Sequence, residues 1–313
     1  MKKTVLALSI LLSSSAFAQD FPAKPIRWVV PFAAGGPADV IARTIQPELA
    51  KALGQPIVID NKGGGNNNIG HAEAARAAPD GYTILYVVPN VVTNPILFKG
   101  MVDPMKELMP VTRLTSQAYI LVANNNFPAK TLAEALALAK AKPGSVSCGS
   151  GGGLMSFGCE WVKTATKVDW THVQYKGNGP AMNDLLGGQI TLLFDLFNSS
   201  LPQVRAGKVR PIALTGSKRG EPLPNLPIVA ETIPGFALEG WHGVMAPAGL
   251  PRPILDRLNK AFHTALADPA VTKRITDGQS EVAPTTPERF GEILKEDAAK
   301  YAKIVKDSGM KGE

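Results

Sequence analysis

Short β-rich runs alternate with amphipathic helical stretches along almost the whole chain, and that order restricts it to α/β architectures. Ile26 to Phe32 (IRWVVPF) reads as a buried strand, closed off by Gly35-Gly36-Pro37. Val40, Ile41, Ile45, Leu49 and Leu53 then recur at helical spacing. Pro37 suits a first helical turn, where a missing N–H costs little, and Asp39 complements the positive end of the helix dipole. Further strands are expected at Ile57 to Asp60, Thr83 to Val88, Ala118 to Ala123 and Ser145 to Cys148. The series continues with Thr171 to Tyr175, Ile190 to Phe194, Val209 to Leu214 and Trp241 to Ala246. Helices fall between them, one opened by the capping box Thr131-Leu132-Ala133-Glu134 and two closing ones from about Pro253 and Pro287. Two such series joined by extended segments imply two lobes with a cleft between them. Open α/β sheets bind ligands at the carboxyl ends of their strands, which directs attention to the loops there.

The first residues read as an export signal. Lys2 and Lys3 precede a short apolar run, Thr4 to Leu12, and Ala16-Phe17-Ala18 predicts cleavage after Ala18. No later stretch approaches 18 uninterrupted apolar residues, so a periplasmic protein is expected. At 45% hydrophobic and 19% charged, the chain is not a disordered one. Its net charge of +7 comes without a dense Lys/Arg run, which speaks against a nucleic-acid partner. Export permits disulfides, and Cys148 and Cys159 either bridge or stay as two small buried thiols, the reading favoured here.

Three loops share one composition. They are Ala33-Ala34-Gly35-Gly36-Pro37-Ala38-Asp39, Gly63-Gly64-Gly65-Asn66-Asn67-Asn68-Ile69-Gly70 and Gly149-Ser150-Gly151-Gly152-Gly153, each running into a helix. Glycine lets backbone N–H groups approach a ligand, and a helix start adds unpaired donors at a positive dipole end. Each loop alone is equally a tight turn needing left-handed backbone angles. Three converging would form an anion site built without Arg or Lys, with Asn67, Asn68 and Ser150 as neutral donors.

Other templates fail. No GxxxxGK[ST] or complete GxGxxG is present, and GxSxG fails at Ser150 and Ser156. The four histidines, at 71, 172, 242 and 263, are dispersed with no HExxH, so neither a metal nor another cofactor is expected. Asp195 ends an apolar strand, where it orients a ligand or caps the helix after it. Tyr175, Phe197 and Trp241 are the aromatic residues best placed to face a cleft.

At these loops the sequence resembles the Bug family, the substrate-binding proteins of tripartite tricarboxylate transporters. The matching segments include Lys24-Pro25-Ile26-Arg27, Val29-Val30-Pro31-Phe32, Gly35-Gly36-x-x-Asp39 and Asn68-Ile69-Gly70. Pro79-Asp80-Gly81-Tyr82-Thr83, Tyr175-Lys176-Gly177, Asp184-Leu185-Leu186-Gly187-Gly188, Phe194-Asp195 and Ala246-Pro247-Ala248-Gly249 continue the pattern. The resemblance implies a type II periplasmic binding protein fold, two lobes with central sheets around a ligand cleft. It places lobe 1 at residues 19–123 plus 240–313 and lobe 2 at 124–239. It further implies clamshell capture of a small organic carboxylate, no catalysis, and delivery to the permease subunits of a membrane transporter by a monomer. By position, the ligand would be surrounded by Phe32, Gly35, Gly36, Ala38, Asp39, Asn67, Asn68, Ser150, Gly151 and Gly152. Asp195 would shape the pocket. Gly152-Gly153-Leu154-Met155 departs from the family's more polar second-lobe loop, and with Phe197 and Trp241 it would suit a hydrophobic or aromatic carboxylate. Two rivals remain: a carboxylate sensor docking to a sensor kinase, and a serine hydrolase using Ser150 or Ser156, for which no His stands at a recognisable spacing.

Overall fold

The computed structural model describes residues 21–312 except 218, 220 and 221; the segment read as an export signal lies outside the described residues. From the N-terminus run β1 (Ile26–Val30), α1 (Pro37–Leu53), β2 (Ile57–Asn61), α2 (Asn68–Ala75), β3 (Thr83–Val87) and α3 (Asn90–Leu97). A short α4 (Pro104–Glu107) leads into β4 (Leu108–Asn124), followed by α5 (Leu132–Ala141), β5 (Ser147–Ser150) and α6 (Leu154–Thr166). Then come β6 (Thr171–Gln174), α7 (Asn178–Gly187), β7 (Leu192–Leu196), α8 (Phe197–Arg205) and β8 (Val209–Leu214). The chain closes with β9 (Glu239–Pro247), α9 (Arg252–Leu266), α10 (Pro269–Asp277), β10 (Glu281–Val282) and α11 (Pro287–Ser308).

These strands form two sheets that share β4. In the first, β2, β1 and β3 are parallel, and β9 returns antiparallel between β3 and β4. In the second, β6, β5 and β7 are parallel, β4 runs antiparallel beside β7, and β8 pairs antiparallel with β4. β4 leaves the first sheet at Ala118, paired with Glu239, and joins the second at Tyr119, paired with Leu196. That exchange precedes the lobe boundary expected near Ala123. In both sheets the carboxyl ends of the parallel strands point towards this crossing, because β3 and β7 both end beside it: Val87 lies against Gly243 and Leu196 against Tyr119.

Three apolar clusters hold the layers together. Trp28, Val30, Tyr86, Val244 and Phe262 pack one face of the first sheet against α1, α9 and α10. Ile120, Val122, Leu193 and Leu201 do the same for the second sheet with α7 and α8. The largest cluster is continuous across both sheets, because α11 lies over β4 and reaches α6, where Tyr301 meets Phe157 edge-on at 5.1 Å. Burying side chains of this size stabilises by about 1.5–3 kcal/mol each, so α11 ties the two halves firmly on that side.

Cys148 and Cys159 are joined in a disulfide, which overturns the favoured reading of two thiols. The physical reason is local: Cys148 sits in β5 on the face covered by α6, and Cys159 is on that helix. No helix among the described residues is long and apolar enough to cross a membrane.

Candidate functional site

The loop between β1 and α1 is shaped by Asp39, which is 2% exposed. Its carboxylate accepts from Gly35 N–H at 2.8 Å, Arg43 Nε at 2.8 Å and Asn61 Nδ2 at 3.0 Å. Arg43 pulls its pKa down to about 2, helped by Gly35 and Asn61 against the cost of burial. Gly35 has φ +80°, so a left-handed residue is required at the point where its N–H turns inward. Asp39 therefore holds its loop with acceptors already filled, and its charge is neutralised by Arg43.

The second loop is knit by asparagines. Asn66 and Asn67 adopt left-handed backbone angles. Asn67 Nδ2 donates to Pro31 C=O, and its Oδ1 accepts from Asn90 Nδ2 at 2.9 Å. Asn68 Oδ1 accepts from Val102 N–H at 2.9 Å. Asn94 Nδ2 reaches Asn66 C=O at 2.6 Å. The first and second loops lie against each other: Asn61 Nδ2 donates to Phe32 C=O at 3.1 Å, and a Cβ on Gly63 would touch Ala33 N and Phe32 C at 3.5 Å. The side-chain donors expected to meet a ligand are thus spent on tying the loop down, leaving the backbone N–H groups at the start of α2.

On the second sheet, Asp195 is fully buried inside β7 rather than beyond it, and burial pushes its pKa up. It accepts from Ser200 Oγ at 2.7 Å and Asn178 Nδ2 at 2.6 Å, so it joins the starts of α7 and α8. Asn178 in turn explains Gly151, where a Cβ would stand 1.9 Å from its Oδ1. Gly152 and Gly153 have φ of +93° and +59°. Tyr175 donates its hydroxyl to Asp184 Oδ2 at 2.7 Å, and burial together with that bond pushes its pKa up to about 12. Ser150 Oγ, with 0% exposure, lies 2.8 Å from Ser156 Oγ and 2.8 Å from His172 Nε2. His172 Nδ1 is 2.8 Å from Glu160 Oε1. Sequence reasoning missed His172 and Glu160; the signal was the parallel register, which sets His172 beside Cys148 on the helix-covered face.

Two aromatic expectations change. Trp241 is buried under α11, edge-on to Phe290, and donates Nε1 to Asp297 Oδ2 at 2.8 Å. It is a core residue, because β9 turns that side of the strand inward. Leu154 is buried in the same cluster. Phe197 is mostly buried, yet it lines a cavity of about 530 Å³ at the crossing of the sheets, with Ser116, Gln117, Ala118 and Glu239. A second cavity of about 670 Å³ is lined by Gly65, Asn68, Ile69 and Lys99. Neither gathers all three glycine loops.

What the loops have in common is the way their helices begin. Among the described residues, α1, α2, α3, α6, α7 and α8, which follow the six parallel strands β1, β2, β3, β5, β6 and β7, start with no side-chain cap. Elsewhere α4, α5, α10 and α11 are capped by Asp103, Thr131, Asp268 and Thr286, while α9 is uncapped. A missing cap leaves first-turn N–H groups and the positive dipole end to another partner. No cluster suited to a metal ion occurs among the described residues.

The model of the tripartite tricarboxylate transporter family receptor matches residues 41–310. Protein BugT of Bordetella pertussis is 30% identical over 309 residues, covering 96% of this chain and 94% of BugT. A Rhodopseudomonas palustris protein solved with adipate is 32% identical, with a TM-score of 0.76 over 93% of this chain and 99% of the other. MatC from Rhodopseudomonas palustris with bound malate is 33% identical, with a TM-score of 0.72 over 91% of this chain and all (100%) of MatC. Two sheets sharing β4, the ordered glycine loops and these matches across nearly the full length agree: the chain belongs to the tripartite tricarboxylate transporter receptor family, the Bug proteins.

Proposed function

We propose that this chain is a periplasmic solute-binding protein that takes a dicarboxylate between its two sheets and delivers it to a tripartite tricarboxylate-type permease. The observation that carries the reading is the absence of side-chain caps on all the helices that follow the parallel strands, set against the caps on most of the others. Each sheet then offers backbone donors at positive helix ends, and a ligand with a carboxylate at each end uses both. The relatives solved with adipate and malate support the same ligand class here. An aromatic acid is a poorer fit, since Trp241 and Leu154 turn into the core.

In this account residues 19–123 with 240–313 form one lobe and 124–239 the other, with β4 and β9 as the hinge. Contact with both lobes is what lets a ligand favour the closed state. Phe32, Gly35, Gly36, Ala38, Gly151 and Gly152 border the ligand. Asp39, Asn67, Asn68, Ser150, Tyr175 and Asp195 act by holding those donors in place, and Phe197 lies at the hinge side. The protein works as a monomer without chemistry on its ligand.

One observation favours a hydrolase instead: Ser150, His172 and Glu160 are connected as in a catalytic triad. Against it, Ser150 Oγ is sealed beneath α6 and shared with Ser156, leaving no approach for an acyl carbon. A fluorophosphonate probe should leave Ser150 unlabelled. Thermal-shift measurements with adipate, malate, citrate and benzoate test the binding reading, because ligand at a hundredfold its Kd adds about 2.7 kcal/mol of stability. A rise with adipate or malate supports it. A panel in which none of the four acids moves the melting temperature defeats it.

A further inference from the structure

The hydrogen-bonded chain beneath α6 is more extensive than a buried serine needs. It runs from Glu160 Oε1 to His172 Nδ1 at 2.8 Å, from His172 Nε2 to Ser150 Oγ at 2.8 Å, and on to Ser156 Oγ at 2.8 Å. From Ser156 it continues to Gln174 Oε1 at 3.4 Å. Ser150 is the last residue of β5 and the first of the turn into α6. The turn itself has no side chains beyond Ser150 until Leu154, so its position depends on this chain, on the Cys148–Cys159 bridge and on Asn178 against Gly151.

We propose that His172, oriented by Glu160, is a positioning residue that sets the Ser150–Gly153 turn for the ligand carboxylate, so that the charge on its ring tunes affinity. This rests on the carboxylate-binding reading above.

The chain has two arrangements that differ in one bond. With Glu160 ionised, His172 donates Nδ1–H to it and Nε2 accepts from Ser150, whose oxygen accepts from Ser156. A second proton on the ring turns Nε2 into a donor. Ser150 then accepts from His172 and donates to Ser156, and Ser156 donates to Gln174. The Ser156–Gln174 bond, which the neutral arrangement lacks because Ser156 gives its one proton to Ser150, is now made; both hydroxyls reverse, and a positive charge stands behind a turn that faces an anion.

Imidazole is the side chain whose charge changes in the neutral range. The elements packed on β6 are β5 and α6. β5 faces the ring with Ser150 and the bridged Cys148, and α6 brings Glu160 and, one turn on, Lys163. Thr171, Val173 and Gln174 of β6 itself are uncharged. Glu160 is thus the one acid that bonds the ring.

Calorimetric titration with adipate and with malate, at about pH 6.5 and about pH 8.5, tests this. Wild-type protein should bind several-fold more tightly at the lower pH. His172→Gln should bind roughly tenfold more weakly at the lower pH and lose the pH dependence. Wild-type affinity and pH profile in His172→Gln would overturn the proposal, and so would a loss that is equal at both pH values, which marks a purely structural residue. Nitrogen NMR of the ring gives a ligand-independent check. The neutral form should carry its proton on Nδ1, and an Nε2–H tautomer contradicts the chain. If wild-type protein binds neither acid while His172 shows the Nδ1–H tautomer, the carboxylate reading has failed and the positioning role falls with it. Binding without the pH effect removes the positioning role alone.

Discussion

Asp39 is a buried carboxylate whose charge is answered within its own loop. Arg43 meets its charge while Gly35 and Asn61 fill its lone pairs, so it shapes the loop between β1 and α1 without leaving an unmatched negative charge there. Its pKa is held at about 2, below the ordinary carboxylate value, so its contribution is present above about pH 4 and is lost as pH falls through 4 to 2. Asp39→Asn should cost about 2 kcal/mol in urea unfolding at neutral pH, with the difference from wild type shrinking in that acid window. His71 and His242 act in a higher window. Burial lowers both to about 4, so the unfolded chain takes up their protons first as pH drops below the ordinary imidazole value. Stability should fall between about pH 6.5 and pH 4 by an amount on the order of 3 kcal/mol for each histidine. His242→Gln should flatten that acid slope, and an unchanged slope would show that His242 titrates normally. The glycine loops were legible in the sequence, whereas the tasks of their polar residues were not. Asn61 serves Asp39, Asn90 serves Asn67, Asn178 serves Asp195 and His172 serves Ser150, each about one strand–helix unit away. Only the parallel register brings such pairs to the same end of the sheet.

At the scale of elements, the second-sheet turn is enclosed by a covalent ring. The Cys148–Cys159 bridge spans 11 positions and contains Gly149 through Gly153. A ring of that length is worth about 3 kcal/mol in the chain-entropy account. Reduction, or Cys159→Ser, should lower stability by about that amount and weaken dicarboxylate binding, read by thermal shift with and without reductant. Insensitivity of both to reductant would mean the turn is held by its hydrogen bonds alone. Most strands and helices could be read from apolar period, but the first half of β4, α3, α4, α10 and β10 could not. β4 shifts register against β9 between Pro110 and Thr112 and again between Arg113 and Thr115, and each bulge breaks the two-residue alternation. α3 carries Pro95 within a short apolar run, a pattern that does not separate helix from strand. Trp241 followed the expected strand, yet alternation alone did not tell which face α11 would cover.

Across the whole molecule, β4 passes from one sheet to the other between Ala118 and Tyr119, and Thr215 clamps that passage. Its N–H and Oγ1 both bond Tyr119, with Oγ1 accepting from Tyr119 N–H at 2.8 Å and donating to Leu238 C=O at 2.6 Å. Thr215→Val keeps the shape and leaves two buried backbone groups short of a partner. It should cost about 1–3 kcal/mol in urea unfolding, and Thr215→Ser should recover most of the loss. Equal stability of Val and wild type would show that the Thr215 bonds do not hold that passage together. A crystal structure with adipate would reveal whether uncapped helix starts from both sheets share one dicarboxylate. One carboxylate should lie within hydrogen-bond reach of first-turn N–H groups of α1 or α2 and the other within reach of those of α6 or α7. Adipate held by one sheet alone, or seated in the cavity beside Ser116 and Gln117, would contradict it.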